Sequence, residues 1–128
     1  MRVRKISPGE AAPAVALARS LGLDYPEMAS DPLWIAEEAG EIVGVVALKT
    51  HPDCLEICAL GVDPRFQGRG IGRALIEALM AAAPGEVHLA TVIPGFFEGS
   101  GFRVIRDAIP ATFPAKRKTS WCEGCPQE

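Results

Sequence analysis

Positive charge is not in excess. Against 16 Asp and Glu stand 13 Lys and Arg, a formal charge of −3 with a pI near 5.4, so no basic field exists to hold a phosphate backbone. General nucleic-acid binding thereby loses its usual electrostatic attraction. Long apolar runs are also missing: nothing approaches the roughly 20 residues a membrane-spanning helix needs, and the start "MRVRKISPGE" has no apolar segment of the kind a secretory signal carries. The expectation is a cytoplasmic protein with small-molecule partners, no nucleic acid and no membrane. Cysteine is sparse. Four residues sit as "CLEIC" (Cys54, Cys58) and "CEGC" (Cys122, Cys125), and in a reducing compartment the fold should not depend on their pairing. No repeat, linker or low-complexity tract interrupts the 128 residues, 48% of them apolar, which suffices for one core. One domain over 1–128 is expected, with 108–128 a tail rich in proline and charge that carries CEGC.

The patterns that are present give an order of elements. "RVRKI" alternates, with Val3 and Ile6 as inward residues, and "SPGE" supplies an N-cap serine and a proline for a helix from about Pro8 to Leu21. Pro13 must then lie near that helix's first turn or bend it. "GLDYPEMASDP" reads as a loop, holding the sole tyrosine, Tyr25. Three antiparallel strands follow, Leu33 to Glu38, Glu41 to Lys49 and Leu55 to Val62, separated by Ala39-Gly40 and His51-Pro52-Asp53. Ile71, Leu75, Ile76 and Leu79 recur at helical spacing until Pro84-Gly85. "EVHLAT" is a short buried strand, "IPGFFEGSGF" a turn or two of helix, and Phe102 to Arg106 a last strand. This order predicts an α/β (α+β) fold: a mixed, mainly antiparallel sheet of about six strands with helices on both faces.

Between strand and helix lies "VDPRFQGRGIGRAL", with glycines at 68, 70 and 72. Alternate glycines there let successive backbone N–H groups converge where a helix dipole also favours negative charge. Two familiar phosphate loops fail against the letters. A Walker A loop needs Gly before Lys-Ser/Thr, yet Lys49-Thr50 and Lys118-Thr119 follow Leu and Arg. A dinucleotide fingerprint needs its third glycine or alanine where this chain has Arg73 or Leu75, according to register. A tight connection that binds nothing is the plain alternative.

The pattern that fits is Gln/Arg-x-x-Gly-x-Gly/Ala, met by Gln67, Gly70 and Gly72, after a strand ending "LGVDP" and before an apolar helix. With "WIAEEAGEIVGVVAL" and "FFEGSGF" in the same order, the chain resembles the GNAT superfamily of N-acetyltransferases over most of its length. The resemblance implies acetyl-CoA as cosubstrate. It implies further that Gln67, Gly68, Arg69, Gly70, Ile71 and Gly72 hold the pyrophosphate, that the backbone of Leu60 and Val62 meets the pantetheine arm beside a splayed strand, and that Arg69 and Arg73 are secondary candidates for the 3′-phosphate. Surface arginines at a helix start are the ordinary alternative for those two.

Attack on a thioester needs a neutral amine, and a lysine-like amine of pKa ~10.4 costs about 4.6 kcal/mol to deprotonate at pH 7, against roughly 1 for an α-amino group. A base is therefore useful. Glu56, eleven positions before Gln67, sits where some members of the family carry their general-base glutamate; the alternative is a solvated strand-end carboxylate. The departure is Phe97: where many relatives have a tyrosine that protonates the leaving thiolate, "FFEGSGF" has a phenylalanine. Tyr25, Ser100 or water could substitute, and Phe97 itself reads as a core aromatic. His88 reads as a core histidine rather than a base. Cys122 and Cys125 have zinc-ligand spacing but supply two ligands of the usual four, so Cys54, Cys58 or a second subunit would have to complete a site, and no metal is expected. Lys116 to Lys118 is a solvated charge run.

The leading expectation is direct transfer of an acetyl group from acetyl-CoA to a primary amine of a small molecule. The short "TVIPG" before "FFEGSGF" resembles the GNAT subset acting on amino acids. The rival is a non-catalytic acyl-CoA sensor or interaction module, motivated by Phe97 and CEGC. A homodimer through an uncovered sheet edge is open.

Overall fold

The computed structural model describes residues 1–89 and 94–103. Five strands form one sheet in the order β1-β2-β3-β4-β5: β1 (Arg2–Lys5), β2 (Leu33–Glu38), β3 (Glu41–Thr50), β4 (Leu55–Val62) and β5 (Val87–His88). The first four are antiparallel neighbours, and β5 lies parallel to β4. Helices α1 (Ala11–Ser20), α2 (Ile71–Ala82) and the short α3 (Pro94–Glu98) complete the described part. The expected α/β architecture is present with five strands rather than about six. The missing one was placed at Phe102 to Arg106; Phe102 and Arg103 are not in a strand, and the remainder lies outside the described residues. So do Lys116 to Lys118, Cys122 and Cys125.

The central hairpin is apolar nearly without interruption because both of its faces are covered. On one face Leu33, Ile35, Val45 and Ala47 pack with Ala11, Ala14 and Ala18 of α1 and with Met28. On the other, Trp34, Ala36, Val46, Leu48 and Ile57 pack with Ile71, Leu75, Ile76 and Leu79 of α2. Those four α2 residues are the ones whose spacing marked the helix, and all are buried. Helix α2 comes very close to β3: a Cβ on Gly44 would lie 3.0 Å from Leu75 Cδ1 and 3.1 Å from Ile71 Cγ2.

Helix α1 begins later than the sequence suggests. Pro8–Glu10 forms a 3-10 turn, and Glu10 rather than Ser7 is the N-cap residue. The Glu10 carboxylate is drawn to Arg4, at 2.8 Å, and accepts from the Ser7 N–H at 3.2 Å, so the turn is tied to β1. Pro13 falls within the first turn of α1, where a missing N–H breaks no intrahelical bond.

Strand β4 contains one residue too many. Val45 faces Gly61 while Ala47 faces Cys58, and Ala59 takes a left-handed φ of 54°. This bulge reverses the strand's alternation. Before it, Leu55 and Ile57 join the α2 core; after it, Leu60 and Val62 do. Cys58 and Ala59 pack on the α1 side. From Val62 the chain turns through Pro64–Phe66 and reaches α2 by way of Gly68 and Gly70, with φ of 80° and 78°.

Leu75→Ala should lower unfolding free energy by about 2–5 kcal/mol, read from a denaturant melt, because its side chain is fully enclosed between α2 and β3. Gly70→Ala should cost about 1–2 kcal/mol in the same assay through backbone strain alone, since an added Cβ meets nothing within 4 Å.

Candidate functional site

Two features meet beside β4. The first is the loop entering α2. Gly70 is the N-cap of α2 and provides no side chain to satisfy the first amides of the helix. Gly68 and Gly70 are left-handed on either side of Arg69, so the chain presents its N–H groups along a concave path at the positive end of α2. Ile71 points into the core, and what it can offer a ligand is backbone. Gly72 is small for a packing reason, because a Cβ there would lie 3.3 Å from Phe96 Cζ. Each of the three glycines thus has a local cause, and the open space above Gly68 and Gly70 is what an anion could fill.

The side chains around this loop are anchored outside it. Asp63 accepts from the Arg65 N–H at 2.9 Å, and the Arg65 guanidinium holds its carboxyl below the usual carboxylate range. The same guanidinium reaches Glu41 at 2.6 Å. Arg69 is exposed, its guanidinium 5.0 Å from the centre of the Phe66 ring. Arg73 donates to the Gly99 carbonyl, linking α2 to the turn after α3. Of the two arginines singled out in the sequence, Arg73 is therefore already engaged by backbone.

The second feature is a gap. Among the described residues β4 pairs with β5 only at Leu55 and Glu56, opposite Val87 and His88. From there to Val62 the outer side of β4 has no described strand beside it. The Asp63 N–H bonds the Val43 carbonyl at 2.8 Å, so Val62, one residue earlier, turns its backbone groups outward, and by strand alternation Leu60 does likewise. Gln67 bends back to this edge, its Nε2 donating to the Val62 carbonyl at 3.3 Å.

Glu56 lies where the pairing ends. It is 5% exposed, which overturns the alternative of a solvated strand-end carboxylate. Its Oε1 is 2.7 Å from Nε2 of His51, whose side chain is itself 11% exposed. Opposite Glu56 on β3 stands Lys49, and the Lys49 ammonium sits 4.8 Å from the centre of the Tyr25 ring. Tyr25 donates to Asp31 at 2.6 Å; burial first, and then that bond, push its hydroxyl far above the ordinary tyrosine range. Tyr25 is thus a tightly held donor to Asp31, poorly suited to protonating a leaving group. It also borders an open depression of about 470 Å³ lined by Val15, Arg19, Asp24 and Met28 among others.

Phe97 is 7% exposed, in edge contact with Phe96 and Phe102 at 5.0 and 5.9 Å between ring centres, a core aromatic as expected. His88 is largely buried on β5, its Nε2 3.6 Å from Glu86. Ser100 Oγ is buried and bonds nothing among the described residues. No group of three or more His, Cys, Asp or Glu among the described residues could hold a metal ion. Sequence reasoning found Glu56 and Tyr25 but missed His51 and Lys49. For Lys49 a signal was present, because a hairpin of the expected bounds pairs it with Glu56; the direction in which the turn residue His51 faces left none.

No described helix is long and apolar enough to cross a membrane. The family model for acetyltransferases of the GNAT family matches residues 9–98. An uncharacterized N-acetyltransferase of Chlorobaculum tepidum is 30% identical over 132 residues, covering 98% of this chain and 80% of that protein. A peptidyl-lysine N-acetyltransferase, YjaB, of Salmonella typhimurium is 33% identical over 99 residues, covering 69% of this chain and 65% of the relative. N-acetylglutamate synthase of Neisseria gonorrhoeae, solved with coenzyme A and N-acetyl-glutamate, superposes with a TM-score of 0.75 at 26% identity, over 97% of this chain but 33% of the synthase. A run of amides at a helix start, a strand edge with no described strand beside it and a match spanning most of the chain have one common explanation: the chain belongs to the GNAT acetyltransferase family and is an N-acetyltransferase that takes its acetyl group from acetyl-CoA.

Proposed function

We propose that the acceptor is a small amino acid, that Glu56 takes the proton from its amine, and that the loop from Gln67 to Gly72 holds the pyrophosphate of acetyl-CoA. The observation that carries this reading is the buried Glu56 carboxylate at the point where the described pairing of β4 with β5 ends. Acetyl-CoA supplies an activated thioester; the residues of this chain bind it, orient the amine and move one proton. The backbone amides from Gly68 into α2 face the pyrophosphate, and the outward backbone of Leu60 and Val62 bonds the pantetheine arm. Arg69 is free to lean toward a terminal phosphate from its place over Phe66, whereas Arg73 would have to leave Gly99.

Glu56 accepts the proton of the ammonium group directly or through one water, leaving the lone pair free for attack; as the N–C bond forms and the C–S bond breaks, the second proton leaves the nitrogen for the departing thiolate or water. An amino acid also brings a carboxylate, and the Lys49 ammonium on the neighbouring strand is a cation within the same region. The likeness to a synthase of N-acetylglutamate supports that class of acceptor. The departing thiolate, with a pKa near ~8.5, leaves without a tyrosine at Phe97.

Purified protein should release CoA from acetyl-CoA when amino acids are added, with polyamines, aminoglycosides and lysine peptides as the comparison. Stimulation only by lysine peptides would move the acceptor to protein side chains. Binding of acetyl-CoA, seen as a raised melting temperature, without release by any amine would leave the sensor reading standing. Lys49→Met should raise the acceptor KM by about 10-fold or more, as expected for a lost charged hydrogen bond, with the KM for acetyl-CoA unchanged. Glu56→Gln should lower kcat at pH 7 by about 10²–10⁴, and the deficit should shrink as pH rises past the acceptor's own amine pKa. An equal deficit at every pH would make Glu56 a binding group instead of a base.

A further inference from the structure

We propose that His51 is a positioning residue for Glu56, a role that rests on Glu56 being the base. The two side chains touch at 2.7 Å from opposite ends of the β3–β4 turn, where the His51 N–H also bonds the Cys54 carbonyl at 2.8 Å. An ionised carboxylate only accepts hydrogen bonds, so the His51 ring carries its proton on Nε2 and donates to Oε1. A carboxylate held by one oxygen keeps its other oxygen in a fixed direction, and a base of this kind has to sit within hydrogen-bond reach of the proton it takes. At 6% and 11% side-chain exposure, little water competes for that bond.

The turn geometry makes this hold on Glu56 a consequence of the hairpin. Lys49 is the cross-strand partner of Glu56, so a residue two positions further along β3 passes the end of the sheet and returns over the turn. His51 reaches back across it. Other ionisable groups face the pair: Lys49 from β3, His88 beside Glu56 on β5, Cys58 two residues along β4, and Tyr25 from the loop before β2, where Glu56 and Cys58 are close enough to raise its hydroxyl further. The donor from His51 fixes which oxygen of Glu56 meets the amine when several groups surround it.

The test uses the full chain with nitrogen-15 labelled histidine. NMR should find His51 as the Nε2–H tautomer at neutral pH, with an Nε2–H proton that exchanges slowly with water and that exchanges faster in Glu56→Ala, where the acceptor is gone. An Nδ1–H tautomer, or an Nε2–H exchange rate unmoved by Glu56→Ala, overturns the proposal without reference to any acceptor. Kinetics then separate positioning from fold. His51→Ala should cut kcat by about 10-fold or more, with the KM for acetyl-CoA within twofold, and His51→Gln, whose side-chain amide can donate from a similar place, should restore most of the loss. Equal losses in His51→Ala and His51→Gln overturn the donor role. Full activity in Glu56→Gln would instead remove the base on which the proposal stands, while an impaired Glu56→Gln beside an unimpaired His51→Ala would remove this proposal alone.

Discussion

A strand that gains one residue against its neighbour has to change direction, and here that single insertion at Ala59 organises everything around the site. Before the bulge, β4 sends Glu56 and Cys58 toward α1 and keeps β5 at its other edge. After it, Leu60 and Val62 face the α2 core while their backbone turns to the edge that has no described strand beside it. An uninterrupted strand would have kept the same alternation between the α1 and α2 cores along its whole length. The cost is an alanine at φ 54°, a conformation that L residues adopt at a penalty of about 1–2 kcal/mol. Strain of this kind persists where the surrounding structure over-determines it, and Ala59 packs against the core on the α1 side.

Burial then divides the charged groups by task. Arg4, Glu10, Arg65 and Asp63 are paired at or near the surface and fix turns: one ties α1 to β1, the other steers the chain out of β4. Such exposed pairs contribute little energy and mainly choose a geometry. Glu56 and His51 are enclosed, where a carboxylate without a partner would be costly and a donor at 2.7 Å offsets that cost. Tyr25 is committed to Asp31 in the same way. Glu56, His51 and Tyr25 therefore have set partners before any substrate arrives.

Much of this could be read from the letters, for identifiable reasons. Apolar runs bounded by Ala39-Gly40 and His51-Pro52 located β2, β3 and β4 within a residue, because turn chemistry and double-sided burial both leave marks in sequence. The α2 stripe did so through Ile71, Leu75, Ile76 and Leu79. The start of α1 was misplaced because Ser7 and Pro8 are good cap residues in isolation, and only the reach of Arg4 to Glu10 decides for the later start. The His51 contact was invisible for a similar reason: it depends on which way a turn residue faces after two strands have paired. The bulge at Ala59 left no signal, since nothing in "ICALGV" announces a left-handed alanine.

The Gln67 side chain already occupies the Val62 carbonyl. A pantetheine amide that takes that carbonyl, in the binding mode proposed above, exchanges one hydrogen bond for another and gains little in number. The protein would then contain its own competitor for that acceptor. Such an arrangement weakens the hold on spent CoA as much as on fresh cosubstrate, and in a transferase whose cycle ends with a departing product, loose retention favours speed of release over tightness of capture.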